Sequence, residues 1–219
     1  MNRCLSTAIV AVSLVSLSAW AATTQEVSYS GNTGGGSRNV VDSQGNPIPF
    51  GNDVEIGFFN GLSQAQVQAE ATGGIGSLQN LWSSWDQFGS TQFRSFFPDN
   101  TTGEFAADNT KTDAAFNGQT IFMWIFQTSD NLAPVTTGPN AFSTVLEWGL
   151  YTSSASTWVF PATTAQFNIP QNITTADITT AFFGGFSPTS LQLASVPEPT
   201  GLALLGLGLA FVLGRRLRR

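Results

Sequence analysis

Gln119-Thr120-Ile121-Phe122-Met123-Trp124-Ile125-Phe126-Gln127-Thr128 is the stretch on which the fold turns. Its six successive apolar residues do not alternate with polar ones, so it is not a half-buried strand. It also falls far short of the roughly 20 residues that a helix uses to cross a membrane. β-Branched and aromatic side chains dominate it. It predicts a central strand buried on both faces.

Working outward, residues 53–59 place Val54, Ile56 and Phe58 on one face and Asp53, Glu55 and Gly57 on the other. That alternation predicts a strand with one buried and one solvated face. Two carboxylates side by side invite a metal or acid–base reading, but the chain contains no histidine to complete such a site. Residues 145–152 align Leu146, Trp148 and Leu150, and Trp158-Val159-Phe160-Pro161 follows as the expected second arm of a hairpin. Short strands are expected at 27–30, 39–42, 93–97, around Phe167 and at 191–193. A turn is expected at Gly45-Asn46-Pro47 and another near Asp177, with a linker ahead of the C-terminal tail. Leu78, Leu81, Trp82, Trp85 and Phe88 recur at three- and four-residue spacing. They predict a helix over 77–89, capped by Ser77 and closed by Gly89. A weaker helix is expected at 64–71, after Ser63. The expected fold is mainly β, an antiparallel β-sandwich-like body with one or two short helices.

Composition narrows the chemistry. With no histidine and one cysteine, Cys4, the usual nucleophilic triads and histidine-based metal sites are excluded from the body. Of the 14 acidic residues all but Glu198 lie between residues 22 and 195, against the basic Arg38, Arg94 and Lys111. So acidic a body is not expected to bind nucleic acid. The polar stretch 98–113 holds Asp99, Glu104, Asp108 and Asp113 without the spacing of a helix–loop–helix calcium site, and no metal or cofactor is expected. Gly31 to Gly36 lacks the lysine of a phosphate-cradling loop. A non-catalytic body is expected. Two alternatives stay open: a carbohydrate-binding module using surface tryptophans such as Trp82 and Trp85, and a carboxylate-based glycoside hydrolase.

The two ends speak of destination. Residues 1–21 carry Arg3, an apolar run from 5 to 20 and Ala19-Trp20-Ala21, the pattern of a cleavable signal peptide for Sec-type export machinery. Residues 22–195 then form the exported domain, and 196–219 the tail. In the tail Val196-Pro197-Glu198-Pro199 is stiff and extended because each proline fixes φ and restricts its predecessor. The uncharged run 200–214 follows, short for a span at about 22 Å of helix. Arg215, Arg216, Arg218 and Arg219 close it as a cytoplasmic stop.

These three features in this order resemble the PEP-CTERM sorting signal of Gram-negative bacteria. The resemblance implies recognition by an inner-membrane exosortase and cleavage near Pro197-Glu198-Pro199. An inner-membrane-anchored precursor would hold its body in the periplasm before delivery to the cell surface or extracellular matrix, in association with exopolysaccharide or biofilm.

Overall fold

The computed structural model describes residues 24–31, 38–94, 103–163 and 170–196. The expected signal peptide, the strand around Phe167 and the span at 200–214 lie outside the described residues. Strands β1 (Gln25–Gly31), β2 (Asn39–Val41) and β3 (Asp53–Phe59) precede two short helices, α1 (Gln64–Glu70) and α2 (Ile75–Trp82). Strands β4 (Trp85–Gln92), β5 (Phe105–Lys111), β6 (Phe122–Thr128) and β7 (Val145–Thr152) follow. The last part holds β8 (Gln171–Thr174), β9 (Thr180–Phe183), β10 (Gly185–Phe186), β11 (Ser190–Gln192) and β12 (Ala194–Ser195).

The apolar run becomes β6, flanked antiparallel by β3 and β7 in a sheet ordered β12-β7-β6-β3-β4, with β9 also on β7. Its two faces meet different layers. Met123 and Ile125, with Val54, Ile56 and Phe58, pack against Val27, Tyr29, Phe105 and Ile173 of a second sheet ordered β5-β1-β8. Val40 and Leu191, from a small sheet of β10, β11 and β2, extend the same core. On the opposite face Trp124 and Phe126, with Trp148 and Leu150, pack against Val67 of α1 and Leu78 and Leu81 of α2. Sheet, sheet and helices therefore make three layers, and a strand in the middle layer has no wet face to show in its sequence.

Several expectations are corrected. The helix predicted over 77–89 is α2, which begins at Ile75 with Gly74 as N-cap, and Trp85 and Phe88 lie on β4. Trp158 to Phe160 does not pair with β7; it lies beside Gln119 to Ile121 through a single bridge, Thr120 to Val159. Leu146, expected on one face with Trp148 and Leu150, is exposed while those two are buried. Phe93 and Arg94 follow the end of β4, and residues 95–97 lie outside the described residues. Pairing is not wholly antiparallel, since β1 with β8 and β2 with β11 run parallel across long sequence separations. The linker expected before the tail is absent up to Val196, because β12 pairs with β7 and the Val196 N–H donates to the Leu146 carbonyl at 2.9 Å. By contrast α1 forms as expected: Ser63 caps it reciprocally with Gln66 in a capping box.

Candidate functional site

The face of β3 expected to be solvated is buried: Asp53 is 5% exposed and Glu55 4%. A cleft of about 580 Å³ opens above them, on the helical side of the central sheet. Glu55 stands opposite Ser90 and Asp53 opposite Gln92 in the β3–β4 register. Past Ile56 that register slips, so that Gly89 faces Ile56 and Gln87 faces Gly57 with Phe88 left over as a bulge. An odd spacing normally sends Gln87 and Ser90 to opposite faces. The bulge cancels that step, and Gln87, Ser90 and Gln92 all line the cleft. Phe88 itself turns into the sheet–sheet core.

Trp82, at the end of α2, makes one wall, and Pro134 and Thr136 make another. The loop carrying these last two is tied down at its base. Thr128 Oγ1 donates to the Leu132 carbonyl at 2.7 Å and accepts from its N–H at 3.0 Å, while the Phe142 N–H donates to Val135 at 2.7 Å. Fully buried Asn52 accepts from the Thr128 N–H at 2.7 Å and donates to Asn131 Oδ1 at 3.1 Å. The cleft is thus formed before any ligand arrives.

The floor is electrostatically unusual. The Asp53 and Glu55 carboxyls hydrogen-bond to each other, and Trp85 Nε1 donates to Glu55 Oε2 at 2.8 Å. Burial pushes Asp53 up to about 6, and burial together with the neighbouring Asp53 charge pushes Glu55 up to about 8. Both carboxyls are thus pushed up, and near neutral pH the pair as a unit holds on to a proton that it shares between its two members. With that proton held between them, the two carboxyls offer acceptor oxygens to the cleft, and the Gln87 and Gln92 amides in its wall offer donors. Sequence reading missed this site because period-2 alternation states which residues share a face, not whether another layer covers it.

Among the described residues the tryptophans do not form an open platform. Trp85, Trp124, Trp148 and Trp158 are buried, and Trp82 is half-buried, its ring centroid 5.9 Å from that of Trp124 and 5.5 Å from that of Phe142. Of the acidic stretch, Asp108 lies on β5, Asp113 caps a 3-10 turn and Glu104 is buried, while Asp99 lies outside the described residues. Among the described residues no group of three or more potential metal ligands comes together. Nor is any described helix long and apolar enough to cross a membrane.

Of the expected sorting residues, Val196 packs beside the helix-side core, whereas Pro197, Glu198, Pro199 and the four arginines lie outside the described residues, as do Ala19 and Ala21. β12 ends at Ser195, and a Pro-Glu-Pro stretch, an uncharged run and an arginine cluster follow it in the sequence. The family model for the PEP-CTERM protein-sorting motif matches residues 195–219. The chain therefore carries a PEP-CTERM sorting tail, which supports exosortase-targeted sorting of a surface protein. No curated protein and no solved structure matches the chain.

Proposed function

We propose that this is an exported, non-catalytic surface or extracellular-matrix protein that an exosortase processes near Pro197-Glu198-Pro199 and that then associates with exopolysaccharide. The PEP-CTERM match at residues 195–219 carries the reading. Entry through a Sec-type signal peptide at residues 1–21 and transient anchoring in the inner membrane complete the route. Support for a body without hydrolytic activity comes from the spacing of its buried acids. Glycosidases hold two carboxyls roughly 5 to 9.5 Å apart on either side of the scissile bond, whereas Asp53 and Glu55 stand two residues apart on the same face of one strand and do not face each other across a cleft.

Fractionation of the native host, with mass spectrometry of the mature C-terminus, tests the reading. Wild-type protein is expected at the surface or in the matrix, ending near the motif. Glu198→Ala, or Pro197→Ala with Pro199→Ala, is expected to accumulate as an unprocessed inner-membrane form. Surface protein shortened as in wild type from either variant would show that another signal directs sorting.

A further inference from the structure

We propose that the cleft between α2, β4 and the loop before Ala141 binds a neutral saccharide segment, whose hydroxyls bond to Asp53 and Glu55 and whose apolar ring face lies along Trp82. The inference rests on the matrix-association reading and assigns it a site.

Four features of the cleft specify the ligand. Its volume, about 580 Å³, lies within the roughly 300–1,000 Å³ usual for small-molecule pockets. Its floor presents carboxyl oxygens that accept, and the Gln87 and Gln92 amides beside them donate, which matches a hydroxyl or a vicinal diol and not a group that only donates or only accepts. Beside the charged Arg94, whose guanidinium donates to the Ala106 carbonyl at 2.9 Å, its walls are polar at Gln87, Ser90 and Gln92 and apolar at Trp82 and Pro134. That alternation suits a sugar ring, with hydroxyls at the edge and C–H groups on the face. Lastly, the two floor carboxyls, in a body with 13 acidic residues against three basic ones, disfavour uronates and phosphates even with Arg94 in the wall.

A calcium ion fits less well. It takes six to eight oxygen ligands, and the two carboxyls are engaged with each other and with Trp85. The carboxyls also remain within the cleft lining despite 95% burial, since each contributes to its surface. Full packing of a neighbouring layer would have removed them from it.

Isothermal titration calorimetry on the full chain in detergent tests this with neutral hexasaccharides of α- and β-linked glucose, galactose and mannose. A galacturonate hexamer and calcium chloride serve as competing probes. At least one neutral hexasaccharide is expected to bind, and the galacturonate at least about tenfold more weakly, a difference of about 1.4 kcal/mol. Asp53→Asn with Glu55→Gln removes the charge while keeping the shape, and is expected to weaken binding by about tenfold or more, as loss of a charged hydrogen-bond partner does. Ser90→Phe, at an exposed position of β4 facing the cleft, is expected to block it while leaving the thermal midpoint near that of wild type.

Equal binding of galacturonate, unchanged affinity in both variants, heat from calcium chloride alone, or no binding by any neutral hexasaccharide would each overturn the assignment. These outcomes separate from those of fractionation. Matrix-located protein whose saccharide affinity ignores both variants overturns the site alone. Processed protein missing from the matrix overturns the association reading, whatever calorimetry gives.

Discussion

Glu55 shows how one buried side chain can set the pH response of a fold. It and Asp53 have folded-state proton affinities above their unfolded ones, so between about pH 4 and pH 8 the native state holds more protons than the unfolded chain. Their contribution to stability is complete below about pH 4 and is lost as pH rises through about 6 and then about 8. At about 1.4 kcal/mol per tenfold change in proton affinity, and roughly 2–4 °C of Tm per kcal/mol at this size, a combined hundredfold loss already lowers Tm by roughly 5–10 °C. A fluorimetric melting series from about pH 5 to pH 9 checks it. Glu55→Gln reproduces the protonated form, with its amide donating to Asp53 and its oxygen accepting from Trp85. It is expected to remove about half of that slope or more and to raise Tm at alkaline pH. Gly57 permits the Trp85 contact. A Cβ there would stand 2.3 Å from the Asp86 carbonyl and 2.8 Å from Trp85 Cζ2. Gly57→Ala is therefore expected to cost about 1–3 kcal/mol in urea unfolding, the usual range for forced overpacking.

At the scale of elements, β4 shows where the sequence misleads and why. Trp82, Trp85 and Phe88 continue the spacing of Leu78 and Leu81, yet the chain leaves the helix after Trp82 and starts a strand at Trp85. Residues three apart share a face of a helix but stand on opposite faces of a strand. Trp85 enters the helix-side core and Phe88 the sheet–sheet core, so burial on both sides of a strand imitates one helical stripe. The bulge that then brings Gln87 and Ser90 to one face leaves no pattern in the sequence, and so neither does the cleft. The apolar run of β6, the alternation of β3 and the Ser63 cap were legible because each depends on neighbours in the chain. The pairing of β12 was not, because Ala194 and Ser195 meet Trp148 and Glu147 from far along the chain, Ser195 and Glu147 standing 48 positions apart. Glu147 accepts from the Ser43 N–H at 2.7 Å, from Ser43 Oγ and from Ser195 Oγ at 3.2 Å, joining β2's turn and β12 to β7. Glu147→Ala is expected to cost about 1–2 kcal/mol. Hydrogen exchange at the Val196 amide should quicken by about tenfold, each factor of ten being about 1.4 kcal/mol of local opening.

For the whole molecule, the meeting of body and tail at Val196 sets a boundary that truncation can locate. The body's last described contacts are β12 on β7, the Val196 N–H to Leu146, and the Val196 side chain beside the helix-side core. Termination after Val196 keeps all three, so its Tm is expected within about 2 °C of that of the full chain, less than 1 kcal/mol at this size. Termination after Leu193 removes the β12 pairing and uncovers the edge of β7 at Glu147 and Trp148. Two lost strand hydrogen bonds at about 1 kcal/mol each, with the buried part of Val196, should lower Tm by roughly 5 °C. Trp148 lies under that edge, so its fluorescence should shift to the red in the shorter chain alone. Equal melting of the two truncations would mean that β12 contributes nothing to the body. The sorting motif would then hang on a free segment, and exosortase access would not depend on how the sheet ends.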